Sequence, residues 1–146
     1  LKINKISSFW NEKWVDIPFT EVENPPRYQV SNYGRLKSFQ NDPVNGEIIA
    51  GVVYDSYEEG ARISSHCAGI GKRWLNKTFL WMMFDYPFNQ LKVNVVINTV
   101  SSNNKDSMRF TEHLGFKQAA RIEGGTSDGD LIIYVLYKKD CKWIGK

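Results

Sequence analysis

Cysteine and histidine are scarce in this chain: Cys67 and Cys141, His66 and His113 are the full set in 146 residues. Cys67 lies in an apolar-rich stretch and Cys141 near the end, which excludes a disulfide framework and fits a reduced, intracellular protein. The same groups lack the paired spacing of metal ligands, so no metal site is expected. No apolar run approaches the roughly 18 to 20 residues of a membrane span. The first residues also lack the apolar core of a secretory signal, so a cytoplasmic location without a membrane partner is expected. A strong excess of one charge is missing too: 19 Lys and Arg face 16 Asp and Glu, and the net charge of +3 permits an anionic partner without demanding one. Internal repeats and low-complexity tracts are absent. What remains is 42% hydrophobic and 14% aromatic content, enough to bury a core for one domain or for one plus a small appendage.

Punctuation by turn residues divides the chain. Glu23-Asn24-Pro25-Pro26 breaks regular structure because neither proline donates a backbone hydrogen bond. Tyr28 and Val30 then alternate with Gln29 and Ser31, Asn32-Tyr33-Gly34 tolerates positive φ, and Arg35-Leu36-Lys37-Ser38-Phe39 alternates again. This predicts a hairpin with Arg35 and Lys37 on one face. Asn41-Asp42-Pro43-Val44-Asn45-Gly46 is a dense turn cluster, and the domain boundary is placed there, giving units 1–46 and 47–146.

After the boundary, Glu47 to Tyr54 reads as a buried strand, Asp55 to Gly60 as a polar turn, and Ala61 to Ala68 as its antiparallel partner. Gly69-Ile70-Gly71-Lys72-Arg73 leads into Trp74 to Tyr86, whose bulky apolar residues recur at helical spacing until Pro87 stops them. Leu91 to Val100 reads as a strand, Asn104 to Leu114 as an amphipathic helix, Phe116 to Ile122 as the start of a strand, and Leu131 to Tyr137 as a central strand after a tight turn. The order after residue 46 is β-β-α-β-α-β-β, an α+β fold with a mixed, mostly antiparallel central sheet and flanking helices.

The run from Val93 through Asn103-Asn104-Lys105-Asp106-Ser107 to Leu114-Gly115-Phe116, together with Gly69-Ile70-Gly71 between a strand and a helix, resembles the coenzyme-A-binding half of GNAT acetyltransferases. The resemblance implies acyl transfer from acetyl-CoA to an amine. It places the diphosphate at Gly69, Gly71, Lys72 and Arg73, where backbone amides and a helix dipole favour an anion. It extends the cofactor strand back to Cys67 and sets Asn104 and Ser107 along the pantetheine arm. As a plain helix, the same stretch needs Asn103 or Asn104 as N-cap and Gly115 beyond the C-terminus, and both readings hold together. Where many relatives carry a Tyr, seven residues after the Asn, this chain has Thr111, a poor general acid. His66 is the candidate base, since an imidazole titrates near neutrality. Alternation sends it to one face with Arg62, Ser64 and Ala68, with Ile63, Ser65 and Cys67 on the other. The alternative for His66 is a hydrogen-bonded structural imidazole. Asp55, Glu58 and Glu59 are backup carboxylates or solvated turn acids, and His113 is expected at the surface.

Trp14, Ile17, Phe19 and the hairpin Tyr28-Gln29-Val30-Ser31-Asn32-Tyr33-Gly34-Arg35-Leu36-Lys37-Ser38 resemble the NUMOD4 module, a small DNA-binding unit usually found beside homing nucleases. The resemblance implies phosphate contacts from Asn32, Arg35 and Lys37. The plain alternative is a hairpin with a solvated basic face. No clustered His and Asn of an HNH site follow, and Gly51-Val52-Val53-Tyr54 has no Tyr-Ile-Gly after it, so nuclease activity is not expected. A GNAT domain normally opens with a strand and two helices; none are visible before Glu47, so the hairpin is expected to stand in for the missing first strands. The result is a truncated GNAT-like fold with an N-terminal hairpin module, a phage-like mosaic. Two functions stay open: an acetyl-CoA-dependent N-acetyltransferase acting on an unidentified amine, with nucleic acid or a protein bound to it as one destination, or a catalytically inactive GNAT-like phage protein acting as a binding, inhibitory or structural module toward a host or phage partner.

Overall fold

The computed structural model describes residues 11–17, 27–71 and 74–145. In chain order they form β1 (Trp14–Asp16), β2 (Tyr28–Ser31), β3 (Arg35–Ser38), β4 (Glu47–Glu58), β5 (Arg62–Gly69), α1 (Lys77–Asp85), β6 (Val95–Ser101), α2 (Lys105–Leu114), β7 (Lys117–Thr126) and β8 (Gly129–Tyr137). The eight strands make one sheet in the order β1-β2-β3-β4-β5-β6-β8-β7. β5 and β6 run parallel, and the other defined registers are antiparallel. The α+β class and the element order expected after residue 46 are those observed. Compact units form from Leu1–Val53 with His66–Met83, and from Tyr54–Ser65 with Phe84–Lys146.

In the first unit the hairpin pairs Tyr28 with Ser38 and Val30 with Leu36, and β3 then pairs antiparallel with β4 through Arg35↔Gly51 and Leu36↔Ala50. The hairpin therefore extends the sheet at β4, where the missing first strands were expected to be replaced. Among the described residues no helix precedes β4. Gly34 makes this join possible. Its φ is +73°, and the carbonyl and side chain of Val52 occupy the space a Cβ would need, while Val52 N donates to Gly34 O at 2.7 Å. Leu36, Ala50, Tyr28, Ile48, Ile49, Phe79 and Leu80 are buried in this unit.

In the second unit β8 is the central strand, paired with β6 from Val95↔Tyr137 to Ser101↔Leu131 and with β7 on its other side. Its even-numbered residues Ile132, Tyr134 and Leu136 are buried with Val96, Val100, Leu114, Phe116, Phe84 and Phe88. The Phe84 ring lies 6.4 Å from Phe88 and 6.1 Å from Phe116, centroid to centroid, a spacing at which aromatic pairs attract beyond their area. Gly115 closes α2 in the left-handed region at φ +106°, its N–H donating to Glu112 O.

Three boundaries differ from expectation. The first helix begins at Lys77 instead of Trp74, because Asn76 Oδ1 accepts from Phe79 N at 2.8 Å and so acts as the N-cap. Its end is as expected, since α1 stops at Asp85 ahead of Pro87, which lacks an N–H for the α-ladder; a π-helical turn follows over Tyr86–Gln90, where Leu91 N donates to Tyr86 O at 2.9 Å. The polar stretch Asp55 to Glu58 continues β4 as exposed strand, leaving the turn to Glu59, Gly60 and Ala61. Ladder hydrogen bonds there override side-chain polarity. β6 starts at Val95, four residues later than the apolar run suggests, since Val93 N is drawn to Pro87 O and Asn94 N to Ala61 O.

Candidate functional site

The sequence-predicted cofactor and catalytic residues fall in both units. In the first, His66 and Cys67 are half-buried on β5, and burial of the thiol pushes the Cys67 pKa up to about 12, so it is a neutral, unreactive group near pH 7. Beyond β5, the Gly69-Ile70-Gly71 loop is partly committed. Ile70 N donates to Ile49 O at 2.7 Å, and the Trp74 indole donates from Nε1 to Gly71 O at 3.0 Å. The same indole fills the space a Cβ on residue 69 would need. Lys72 and Arg73 lie outside the described residues.

The head of α1 is therefore Asn76, which the sequence reading passed over. Its Oδ1 caps the helix, while its Nδ2 is buried with no hydrogen-bond partner among the described residues. A buried unpaired donor costs about 1–3 kcal/mol, so it marks a place where an acceptor belongs. An anionic oxygen at a helix N-terminus is a chemically matched acceptor for such a donor. The signal was readable: an Asn three residues before Phe79, at the start of the apolar periodicity, is an N-cap pattern.

In the second unit, Asn104 is the N-cap of α2, its Oδ1 accepting from Ser107 N at 3.0 Å. Its Nδ2 has no hydrogen-bond partner among the described residues and is exposed, a donor suited to an amide carbonyl. Thr111 is 3% exposed, so its hydroxyl is sequestered as well as weakly acidic. Tyr134 is no substitute: its hydroxyl donates to Glu112 Oε1 at 2.8 Å, and desolvation with the adjacent carboxylate pushes its pKa up to about 12. The parallel ladder of β5 on β6 covers Arg62↔Val95 to Ser64↔Ile97, and Ser65 Oγ then sits 2.6 Å from the Asn98 side-chain amide. The backup acids are occupied or solvated: Glu58 pairs with Arg62, Asp55 accepts from Ser56 Oγ at 2.9 Å, and Glu59 is exposed. His113 is exposed beside Trp143, and burial raises the pKa of Cys141.

The basic hairpin face is not the solvated surface its sequence suggests. Arg35 is 5% exposed; its guanidinium takes both carboxylate oxygens of Glu12, through Nε at 2.9 Å and through Nη2, and it lies 5.5 Å from the Trp14 ring. Lys37 Nζ stands 4.0 Å over the same ring, and desolvation lowers its pKa. Asn32 is exposed, its Oδ1 accepting from Lys13 N at 2.8 Å. A buried, neutralised arginine offers little to a phosphate, so Lys37 and Asn32 are what this face can present.

Residues 12–68 match the model of the NUMOD4 motif, a span that includes β4 and most of β5 as well as the hairpin. The search of curated proteins gives no match. Among solved structures, the fold matches a GNAT-family acetyltransferase from Bacillus anthracis (TM-score 0.56, 13% identity, 72% of this chain and 65% of that one). It also matches a ribosomal-protein-S5-alanine acetyltransferase from Vibrio fischeri (0.59, 15%, 82% and 64%). A third match is a spermidine N-acetyltransferase from Vibrio cholerae in complex with CoA and spermine (0.59, 13%, 80% and 68%). The fold is that of the GNAT acetyltransferases, and the chain spans 65% or less of the length of the first two of these relatives. No described helix is long and apolar enough to cross a membrane.

Proposed function

We propose that the chain is an acetyl-coenzyme A-dependent N-acetyltransferase that acts on an amine, with its NUMOD4 region bringing it to nucleic acid or to a protein bound there. The fold supports the reaction class, and the observation that carries the reading is the unpaired, buried Nδ2 of Asn76 at the head of α1. Cofactor contacts are assigned to Cys67, Gly69, Gly71, Lys72 and Arg73, with Asn76 added, and to Asn104 and Ser107 on α2. When bound, acetyl-coenzyme A supplies the acyl group as a thioester. Asn76 and the first-turn amides of α1 hold negative charge. Asn104 Nδ2 orients an amide of the pantetheine arm, and His66 takes a proton from the acceptor's ammonium so that nitrogen carries a free lone pair. With Thr111 buried, the proton for the departing thiolate comes from water. Lys37 and Asn32 carry the nucleic-acid contact, with Arg35 organising the face.

Calorimetric titration with coenzyme A tests the proposal, and absence of binding at high micromolar concentration eliminates it. Asn76→Asp keeps the helix cap but replaces the donor with an anion, and should weaken binding at least tenfold, about 1.4 kcal/mol. His66→Ala should abolish turnover with affinity nearly intact; unchanged turnover removes His66 from the chemistry. A second reading, a non-catalytic GNAT fold that binds or inhibits a partner, is favoured by one observation: the Trp74 indole packed on Gly69 and bonded to Gly71 O. Under that reading coenzyme A does not bind, and the same titration separates the two.

A further inference from the structure

The turn between β7 and β8 is bonded to the turn between β6 and α2 at several points. Asp128 Oδ1 accepts from Ser101 Oγ at 2.8 Å and from Thr126 Oγ1 at 3.0 Å, and Asp128 O accepts from Asn103 Nδ2. Two residues on, Asp130 N donates to Ser102 Oγ at 3.0 Å while Ser102 N donates to Asp130 O at 2.9 Å. Gly129 allows this approach: a Cβ there would meet Ser102 Oγ at 2.7 Å and Asn103 Nδ2 at 3.2 Å. Ser101 passes the constraint forward, since its Oγ accepts from Asn103 N at 3.3 Å and its carbonyl from Asn104 N at 2.9 Å. Asn104 is the N-cap that holds Ser107 N.

A turn meant only to connect two antiparallel strands needs none of these contacts. Thr126 and Gly129 already close it: the two are paired in the ladder, and the one Thr126 hydroxyl proton is shared between Gly129 O at 2.9 Å and Asp128 Oδ1 at 3.0 Å. Apart from the Asp128–Thr126 contact inside the turn, the additional bonds run to the residues that precede α2, so the strain of moving that turn is borne by the entry to the helix. From this placement we infer that Asp128 is a positioning residue: the β7–β8 turn fixes the backbone of Ser101 to Asn104, and so holds the Asn104 cap and the Ser107 amide in the geometry that receives the pantetheine arm. The Asp128 carboxylate acts through Ser101 and its backbone carbonyl through Asn103, so Asp128→Ala removes the first tie and leaves the second. The ligand assignment rests on the acetyl-coenzyme A reading above, whereas the positioning of the cap does not.

The test uses the full chain and two separate measurements. Asp128→Ala should speed hydrogen exchange at the Ser107 amide about tenfold, the scale of one lost cap or charge-assisted hydrogen bond, while amides in the middle of β8 exchange as before. It should raise the Kd for coenzyme A by a similar factor, and in turnover raise KM for acetyl-coenzyme A with kcat little changed. Asp128→Asn keeps the Oδ1 acceptor and should restore most of both. Gly129→Ala, which pushes the turns apart with Asp128 intact, should copy Asp128→Ala. Unchanged exchange at Ser107 in both Asp128→Ala and Gly129→Ala overturns the inference, whatever coenzyme A does. Faster exchange with an unchanged Kd overturns its ligand half. A wild-type chain that binds no coenzyme A overturns the functional reading and that same half, while the exchange result still decides whether Asp128 positions the cap.

Discussion

In the first unit a charged pair, Arg35 and Glu12, is buried, with side-chain exposures of 6% and 0%, and Trp14 accepts both Arg35 and Lys37 over its ring. In the second unit the interior is aliphatic and aromatic, and its ion pairs Arg62–Glu58, Arg109–Asp106 and Arg121–Asp130 stay at or near the surface. The contrast follows from strand composition. β8 supplies three fully buried apolar side chains from its even-numbered residues, whereas the four-residue strands β2 and β3 offer Tyr28, Val30 and Leu36 and must make charged residues part of the packing. A short hairpin with little apolar surface becomes specific through a buried pair, and loses more when one partner is taken away.

The largest expected effect comes from breaking that pair. Arg35→Ala removes the bidentate partner of the buried Glu12 carboxylate and should cost about 3–5 kcal/mol, whereas replacing both residues by apolar side chains of similar size should cost much less. Denaturant melts of the three proteins measure this, and an Arg35→Ala variant as stable as wild type would show that the pair is solvated in solution. In the second unit, Ile132→Ala removes a fully buried side chain and should cost about 2–5 kcal/mol through lost transfer energy and a cavity, with no charged partner to rescue it. The smallest effect is electrostatic. Hydrogen bonds from Ser101 and Thr126 hold the Asp128 carboxyl below its ordinary 3.8, and the Gly124 amide with Arg121 does the same for Asp130. Because the folded values are depressed, their stabilisation is complete above the ordinary carboxylate value and is lost as pH falls through the lower folded values. Asp128 is exposed and Asp130 only half-buried, so melting temperature should fall only modestly below about pH 4. Asp128→Asn should flatten that slope, and an unchanged slope would remove Asp128 from it.

Lys37 and Arg35 differ in what they would contribute to a nucleic-acid contact. Lys37→Ala should make the dependence of affinity on salt shallower by about one unit of slope, the signature of one lost phosphate contact. Arg35→Ala should act mainly by unfolding the hairpin.

Much of this was readable beforehand because it rests on local rules. Period-two alternation marks the hairpin and β5, the continuous apolar run Leu131 to Tyr137 marks β8, and Asn104 with Gly115 brackets α2 at the residues that cap it. The head of α1 is not legible in the pattern, because Trp74 and Leu75 continue the apolar spacing and the hydrogen bond from Phe79 N to Asn76 Oδ1 sets where the helix begins. The Gly69-Ile70-Gly71 loop carries the composition of an anion cradle, but its availability depends on Ile49 and Trp74, which no local pattern connects to it. The Asp128 contacts join residues 25 or more positions apart in the chain, beyond any periodicity.

By itself the sequence determined which segments become strands and helices, the order in which they follow, and the two family resemblances, because side-chain spacing and turn chemistry act over a few residues. Only the tertiary structure decided that Arg35 is sequestered by Glu12, that Asn76 holds an unsatisfied donor, and that the β7–β8 turn is tied to the entry of α2. Burial and hydrogen-bond satisfaction are properties of the neighbours that folding brings together, so they are fixed when the chain closes on itself.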